Sequence, residues 1–283
     1  MHIGIIGTEN THVDHIVDHL NVRRLGGEAR IVALSGGASE RNEKLRAKGG
    51  IATLVERPED LLGLVDAVII TDRHGGLHRR HAVPFLTEGL PVFVDKPLAC
   101  SLADAEAIVA AARSYDAPLT SSSAVRWVPD TDALAAQAAE LGEPQLVMTT
   151  GPADPASPYG GICFYGIHPV DVAMRLAPGE VGEIRVERSA STVVATVQVG
   201  AARVVVNLVA PGPQGDVPFH GMVVGRHGIA ADTLKLGKSY VAPGLEAFLE
   251  MTRTGRPPID YADLLRPVKI LDAISAALQT QAG

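Results

Sequence analysis

The sequence predicts an α/β protein in two parts. A parallel sheet covered by helices on both faces comes first, followed by an α+β domain with an open, mostly antiparallel sheet. Three observations carry this reading. Up to about residue 120, short apolar runs rich in Val and Ile alternate with helical stretches, the rhythm of right-handed strand–helix–strand crossovers. Beyond that point, strand-like runs follow one another with only turn residues between them. The chain has 283 residues, 46% of them hydrophobic, which supports two modest cores. The predicted domains are 1–120 and 121–283.

In chain order, His2 to Gly7 reads as a short buried strand, and Asn10 or Thr11 can cap a helix running to about Leu25. Ala29 to Leu34 is the second strand, broken by Ser35-Gly36-Gly37 and followed by a charged helix from Glu40 to Lys48. Ile51 to Leu54 and Asp66 to Thr71 are strands, with a short helix at Pro58 to Gly63 between them. The loop Asp72 to Gly76 leads to a helix from Leu77 to Gly89. Pro91 to Val94 is a strand, Ser101 to Ser114 an Ala-rich helix capped by Ser101, and Pro118 to Ser122 the last strand of this part. The second part opens with a helix, Asp130 to Leu141, and a strand, Gln145 to Thr150. A Pro/Gly-rich loop, Gly151 to Gly161, precedes a short helix from His168 to Leu176. Glu183 to Ala190, Thr192 to Val199, Arg203 to Ala210 and Phe219 to Val224 are predicted strands, and Leu245 to Thr254 and Tyr261 to Gln279 closing helices.

A net charge of −7 with no basic run argues against nucleic acid or an anionic membrane as partner. No stretch has the length of a membrane span or the pattern of a leader, so a cytoplasmic protein is expected. The two cysteines, Cys100 and Cys163, are far apart in sequence and suggest neither a disulfide framework nor a zinc knuckle.

Chemistry concentrates at Val92-Phe93-Val94-Asp95-Lys96-Pro97, where an apolar strand runs into an acid, a base and a proline. In an open parallel sheet the ligand lies outside the carboxyl ends of the strands, so Lys96 points to a binding crevice. A lysine there holds three donors and a pKa that moves readily on desolvation. The first turn, Gly7-Thr8-Glu9-Asn10-Thr11-His12, keeps only the first glycine of a dinucleotide fingerprint. Phosphate can still meet the backbone N–H groups of Thr8, Glu9 and Asn10 at the helix N-terminus. The second strand ends in Ser35 with no acid for a ribose 2′-hydroxyl, and the nearest base is Arg41, which permits NADP and slightly favours it over NAD. His12, His15 and His19 share one helix face and read as a polar face rather than a metal set. His74, His78 and His81 also lack a completing carboxylate or Cys at a clear ligand spacing, and His78 begins a helix at a strand's carboxyl end. In the second part, His168 is expected at a helix start, with Asp171 three residues on to orient the imidazole.

These residues resemble the glucose-fructose oxidoreductase/inositol dehydrogenase/MocA (Gfo/Idh/MocA) family along nearly the whole chain. The likeness is strongest at Asp66 to Ala112, with Asp95-Lys96-Pro97 in place of the family's Glu-Lys-Pro. It continues at Gly160 to Leu176 and in Gly255-Arg256-Pro257-Pro258. The resemblance implies a Rossmann domain followed by a substrate and oligomerisation domain, with NADP or NAD as cofactor. It implies that Lys96 meets nicotinamide and substrate and that His168 is the acid–base group. Gly7, Thr71 and His78 would line the cofactor path, together with Arg73 of the Asp72 to Gly76 loop and Asp95, and Arg126 would lie near the substrate. Phe164 stands where family members carry a carboxylate, and Tyr165 is the local substitute.

The expected function is hydride transfer between nicotinamide and a small polar, sugar- or cyclitol-like substrate bound between the domains. Two alternatives stay open: a nucleotide- or metabolite-binding protein without redox turnover, and a reductase of a C=N or conjugated C=C bond with Tyr165 as proton donor. No metal is expected, and a homo-oligomer, dimer or tetramer, is expected through the C-terminal sheet.

Overall fold

The computed structural model describes residues 1–213 and 215–280, which group into two compact units. The first comprises residues 1–99, 103–122 and 241–261, and the second residues 100–102, 123–240 and 262–283, of which 214 and 281–283 lie outside the described residues.

The first unit holds one parallel sheet. Its strands are β1 (His2–Ile6), β2 (Arg30–Ser35), β3 (Thr53–Val55), β4 (Ala67–Ile70), β5 (Val92–Asp95) and β6 (Leu119–Ser122). Their order is β3-β2-β1-β4-β5-β6, parallel throughout. β4 and β5 are buried at every position, as strands covered on both faces must be. The helices are α1 (His12–Val17, continuing in π geometry to Val22), α2 (Ser39–Gly49), α3 (His78–Thr87) and α4 (Leu102–Ser114). Because the chain leaves β1 for β2 on one side and reaches β4 on the other, the winding reverses between β1 and β4. Ligands bind such sheets there, at the carboxyl ends of the strands.

The second unit follows with α5 (Pro129–Glu140), β7 (Pro144–Pro152), α6 (Cys163–Leu176), β8 (Val181–Arg188), β9 (Thr192–Val199), β10 (Ala202–Val209), β11 (Phe219–Gly225) and β12 (Gly228–Leu234). The sheet order is β12-β11-β7-β10-β9-β8, with β7 and β10 parallel and every other pair antiparallel. Val193, Ala195, Val197 and Val199 alternate with half-buried residues along β9, the period-two pattern of a strand with one face on a core. Ile270, Leu271 and Ile274 of α8 (Tyr261–Thr280) join the same cluster.

Three features depart from the sequence reading. α7 (Ala242–Thr254) belongs by its contacts to the first unit, not to the domain its chain position suggested. Phe248 packs on Phe93 with ring centroids 5.6 Å apart, and Glu246 takes the ring of His19 at 2.7 Å. α6 begins at Cys163 rather than at His168, so His168 and Pro169 lie inside the helix. Burial of Cys163, Phe164, Gly166 and Ile167 carries the extra turn, and a Cβ on Gly166 would come within 3.3 Å of Leu271. β12 was not foreseen, because Gly228-Ile229-Ala230-Ala231 has little strand character; it forms by pairing with β11 across the short turn at Arg226-His227.

Candidate active site

In the first unit the ends of β1 and β4 are drawn together. Thr71, fully buried, donates its hydroxyl to the Gly7 carbonyl at 2.5 Å and its N–H to that of Ile6 at 2.7 Å. Gly7 has φ +82°, and a Cβ there would lie 2.5 Å from the Asp72 nitrogen, so only glycine fits this crossing. The turn after Gly7 lacks the other two fingerprint glycines, and side chains from elsewhere hold it instead. Thr8 is buried, its hydroxyl donating to Asn42 Oδ1 at 2.5 Å. The loop Ser35-Gly36-Gly37 closes over it, so that a Cβ on Gly37 would collide with Thr8 Oγ1. Arg41 of α2 donates to the carbonyls of Thr8 and Asn10 and pairs with Asp14 at 2.6 Å. Glu9 is exposed. Ser35 is fully buried, and its Oγ has no hydrogen-bond partner among the described residues.

A second set of bonds joins this turn to the lysine strand. Asn10 accepts the His12 N–H through Oδ1 in the turn ahead of α1, and donates through Nδ2 to Asp95 at 2.8 Å. His12 Nδ1 lies 3.0 Å from Asp95 Oδ1. Burial raises the pKa of the Asp95 carboxyl, but the His12 charge and hydrogen bond and the neighbouring Lys96 outweigh it and hold the group well below the carboxylate range. Lys96 is 5% exposed. Burial pushes its ammonium below the ordinary lysine value; Asp95 opposes this and Arg73 adds to it. His78 is fully buried between two backbone carbonyls, Pro97 O at 2.7 Å and Asp72 O at 3.0 Å, and burial lowers its pKa. Its neutral ring has one N–H to donate and a carbonyl facing each nitrogen, so it ties the Lys96-Pro97 segment to the loop after β4 rather than presenting a free donor to a ligand. Three more histidines of these two groups turn to separate partners: His19 to Glu246, His81 to Asp72 and His74 to the Gly76 N–H.

In the second unit the site is built on α6. His168 is 6% exposed, with Nδ1 2.6 Å from Ser123 Oγ. Its ring lies between those of Tyr165, 5.5 Å away, and Phe219, 5.2 Å away in a T-shaped arrangement. Gly151 makes room for Phe219, since a Cβ would come within 2.8 Å of that ring. Thr149 of β7 donates to the Pro169 carbonyl at 2.9 Å and fixes the helix. Asp171 does not orient the imidazole directly. One of its oxygens accepts the Ser123 N–H at 2.8 Å and the other pairs with Arg126 at 2.8 Å. The reason is helical geometry: the segment 123–126 lies against α6 and takes the carboxylate, which links Asp171 to His168 by way of Ser123. Arg126 has Nη1 committed to Asp171 and stacks toward Trp127, which removes it as a free cation for substrate. Tyr165 is 45% exposed and open to a ligand. Phe164 packs against Tyr159 and Tyr165, an apolar contact where a carboxylate would be stranded.

Sequence reasoning missed Ser123, one of three consecutive serines with nothing local to single it out, and the structural roles of His12 and Arg41.

Residues 1–122 match the model of an oxidoreductase family, Gfo/Idh/MocA, with an NAD-binding Rossmann fold. The 1,5-anhydro-D-fructose reductase of Ensifer adhaerens is 32% identical over 112 residues, 39% of this chain. The match spans about a third, 32%, of that protein's length. Apo scyllo-inositol dehydrogenase from Lactobacillus casei superposes with a TM-score of 0.85 at 14% identity, covering 99% of this chain and 96% of that one. Myo-inositol dehydrogenase from the same organism, solved with NAD(H) and myo-inositol, superposes at 0.83 with 18% identity, covering 100% of this chain and 95% of that one. At these identities the structural likeness establishes the fold.

Proposed function

We propose that the chain is a Gfo/Idh/MocA-type oxidoreductase, a reading supported by the match of residues 1–122 to that family's NAD-binding model, and that it oxidises or reduces a small sugar- or cyclitol-like substrate with a nicotinamide dinucleotide. The observation that carries this reading is His168, buried between two aromatic rings with one nitrogen fixed by Ser123.

The first unit fits the dinucleotide. Gly7 and Thr71 leave a close-packed crossing at the switch point, and the turn from Thr8 to Thr11 leads into a helix N-terminus suited to a pyrophosphate. The Ser35 hydroxyl, buried at the end of β2 without a hydrogen-bond partner among the described residues, supports assigning the ribose to this strand end. When bound, the dinucleotide accepts or supplies the hydride at the nicotinamide C4. NADP was favoured in sequence on the strength of Arg41, but that guanidinium is already bound to Thr8, Asn10 and Asp14. We therefore take NAD(H) as the preferred form.

The protein's own work is proton handling and positioning. Ser123 Oγ has two lone pairs, one taken by the Val125 N–H at 3.1 Å. In this reading the other accepts the Nδ1–H of His168, the tautomer that leaves Nε2 to exchange a proton with the substrate oxygen. Lys96, desolvated yet beside Asp95, can give up a proton more readily than a solvated lysine. Tyr165 borders the substrate. The network from Arg41 and Asp95 keeps the dinucleotide turn rigid.

Titration with NADH and NADPH, followed by nicotinamide fluorescence, and a turnover screen over polyols and reducing sugars test this. Saturable binding with tighter NADH is expected. His168→Ala should keep that binding and lose on the order of a hundred- to ten-thousand-fold in turnover. Failure of folded protein to bind either dinucleotide would overturn the reading.

A further inference from the structure

The only two cysteines of the chain, 63 positions apart, meet in the second unit. Cys163, the first residue of α6, places Sγ 3.9 Å from the Cys100 carbonyl and 3.6 Å from Ser275 Oγ of α8. The Cys100 thiol also hydrogen-bonds to it. No disulfide joins them. Both border a cavity of about 530 Å³ whose rim includes Gly160, Gly161 and Arg188, so reagents reach a pair that is otherwise largely covered. Cys163 is 1% exposed and Cys100 is partly exposed. Neither takes part in the proton chemistry proposed above.

We propose that Cys100 and Cys163 form a redox-active dithiol, a modification site whose co-reactant is a low-molecular-weight disulfide entering this cavity. The more exposed Cys100 sulfur attacks one sulfur of the reagent. The reagent's S–S bond breaks, and its other half leaves as a thiol carrying the Cys100 proton. Cys163 then attacks the Cys100 sulfur, forming the Cys100–Cys163 bond and releasing the second thiol with the Cys163 proton. Two protein thiols are oxidised and one reagent disulfide is reduced to two thiols. The hydrogen bond from the Cys100 thiol, opposed by burial and aided by Ser275, holds the Cys163 thiol below its ordinary value, which favours this second step. The resulting bond ties residue 100 to the first turn of the helix that carries His168, so oxidation acts on the scaffold of the candidate site. In a reducing compartment such a pair is transient and reports oxidant exposure.

The test uses the full-length folded protein incubated with oxidised glutathione, followed by alkylation of remaining thiols and peptide mass mapping. Circular dichroism before and after monitors the fold. The expected result is a Cys100–Cys163 cross-linked peptide and an intact mass lower by two hydrogens, both reversed by dithiothreitol. Cys163→Ser should stop at a persistent glutathione adduct on Cys100. A lasting adduct on Cys100 of the wild type with Cys163 still alkylatable, or two unreacted thiols in the folded protein, would overturn the proposal. Because the readout is mass, it is independent of whether the protein turns over a sugar.

Discussion

Ser123→Ala isolates the role assigned to His168 without touching the imidazole. The hydroxyl lies 2.6 Å from Nδ1, short enough to be a strong bond, and Ser123 is fully buried, so water cannot replace it. A hydrogen bond to a group that becomes charged is worth about 1.5–3 kcal/mol. Loss of that amount from the step in which Nε2 takes a proton slows turnover by about 10- to 150-fold at 1.36 kcal/mol per tenfold. The substitution also strands the Val125 N–H, costing about 1–3 kcal/mol of folding stability. Dinucleotide affinity should stay unchanged, because Ser123 belongs to the second unit and the dinucleotide turn to the first. The assay is steady-state kinetics on the best substrate of the screen, with NADH titration and thermal unfolding beside it. Ser123→Thr, which keeps the hydroxyl, should recover most of the rate. Unchanged kcat in Ser123→Ala while His168→Ala is inactive would refute the assigned role, as would equal losses in the Ala and Thr variants.

Three other perturbations test the first unit. Gly7→Ala forces a side chain into the left-handed region and into the Asp72 backbone, so a loss of about 2–4 kcal/mol in unfolding free energy and of NADH binding is expected by denaturant titration. Arg41→Ala should weaken NADH and NADPH about equally, on the order of tenfold, because it frees the turn; a selective loss of NADPH would mean that the guanidinium reads a 2′-phosphate. Lys96→Met should abolish turnover while changing stability in a pH-dependent way. The folded lysine titrates below its unfolded value of 10.5, so the charged form carries a penalty at neutral pH that is relieved as pH rises toward 10.5. Wild type should therefore gain stability relative to Lys96→Met across the alkaline range, and parallel pH profiles in chemical unfolding would contradict the burial of that charge.

The first unit was readable because its strands are buried on both faces and therefore apolar along their whole length. Val68-Ile69-Ile70 and Val92-Phe93-Val94 announce themselves without help from their neighbours. Lys96 was readable for the same reason, since a charge directly after such a run has a known place at the strand end. What lay beyond reach was set by partners distant in sequence. Arg41 looks like any surface cation until the carbonyls of Thr8 and Asn10 are beside it, and His12 looks like one of three histidines on a helix face until Asp95 appears. Asp171 sits at the spacing that could support His168, yet helix packing gives its oxygens to Ser123 and Arg126. β12 was hidden because its residues become a strand only by pairing with β11. The cysteine pair shows the same limit, as a separation of 63 residues says nothing about contact.

The most direct measurement follows the hydride itself. The protein is incubated with a ketose or inosose and NADH deuterated at each C4 position in turn, and the product is examined by mass spectrometry. Hydride transfer predicts one deuterium on the reduced carbon from one of the two labelled forms and none from the other, with the signal lost in His168→Ala. A reduced product without deuterium from either form, or NADH bound and never oxidised by any substrate of these classes, would contradict the assignment.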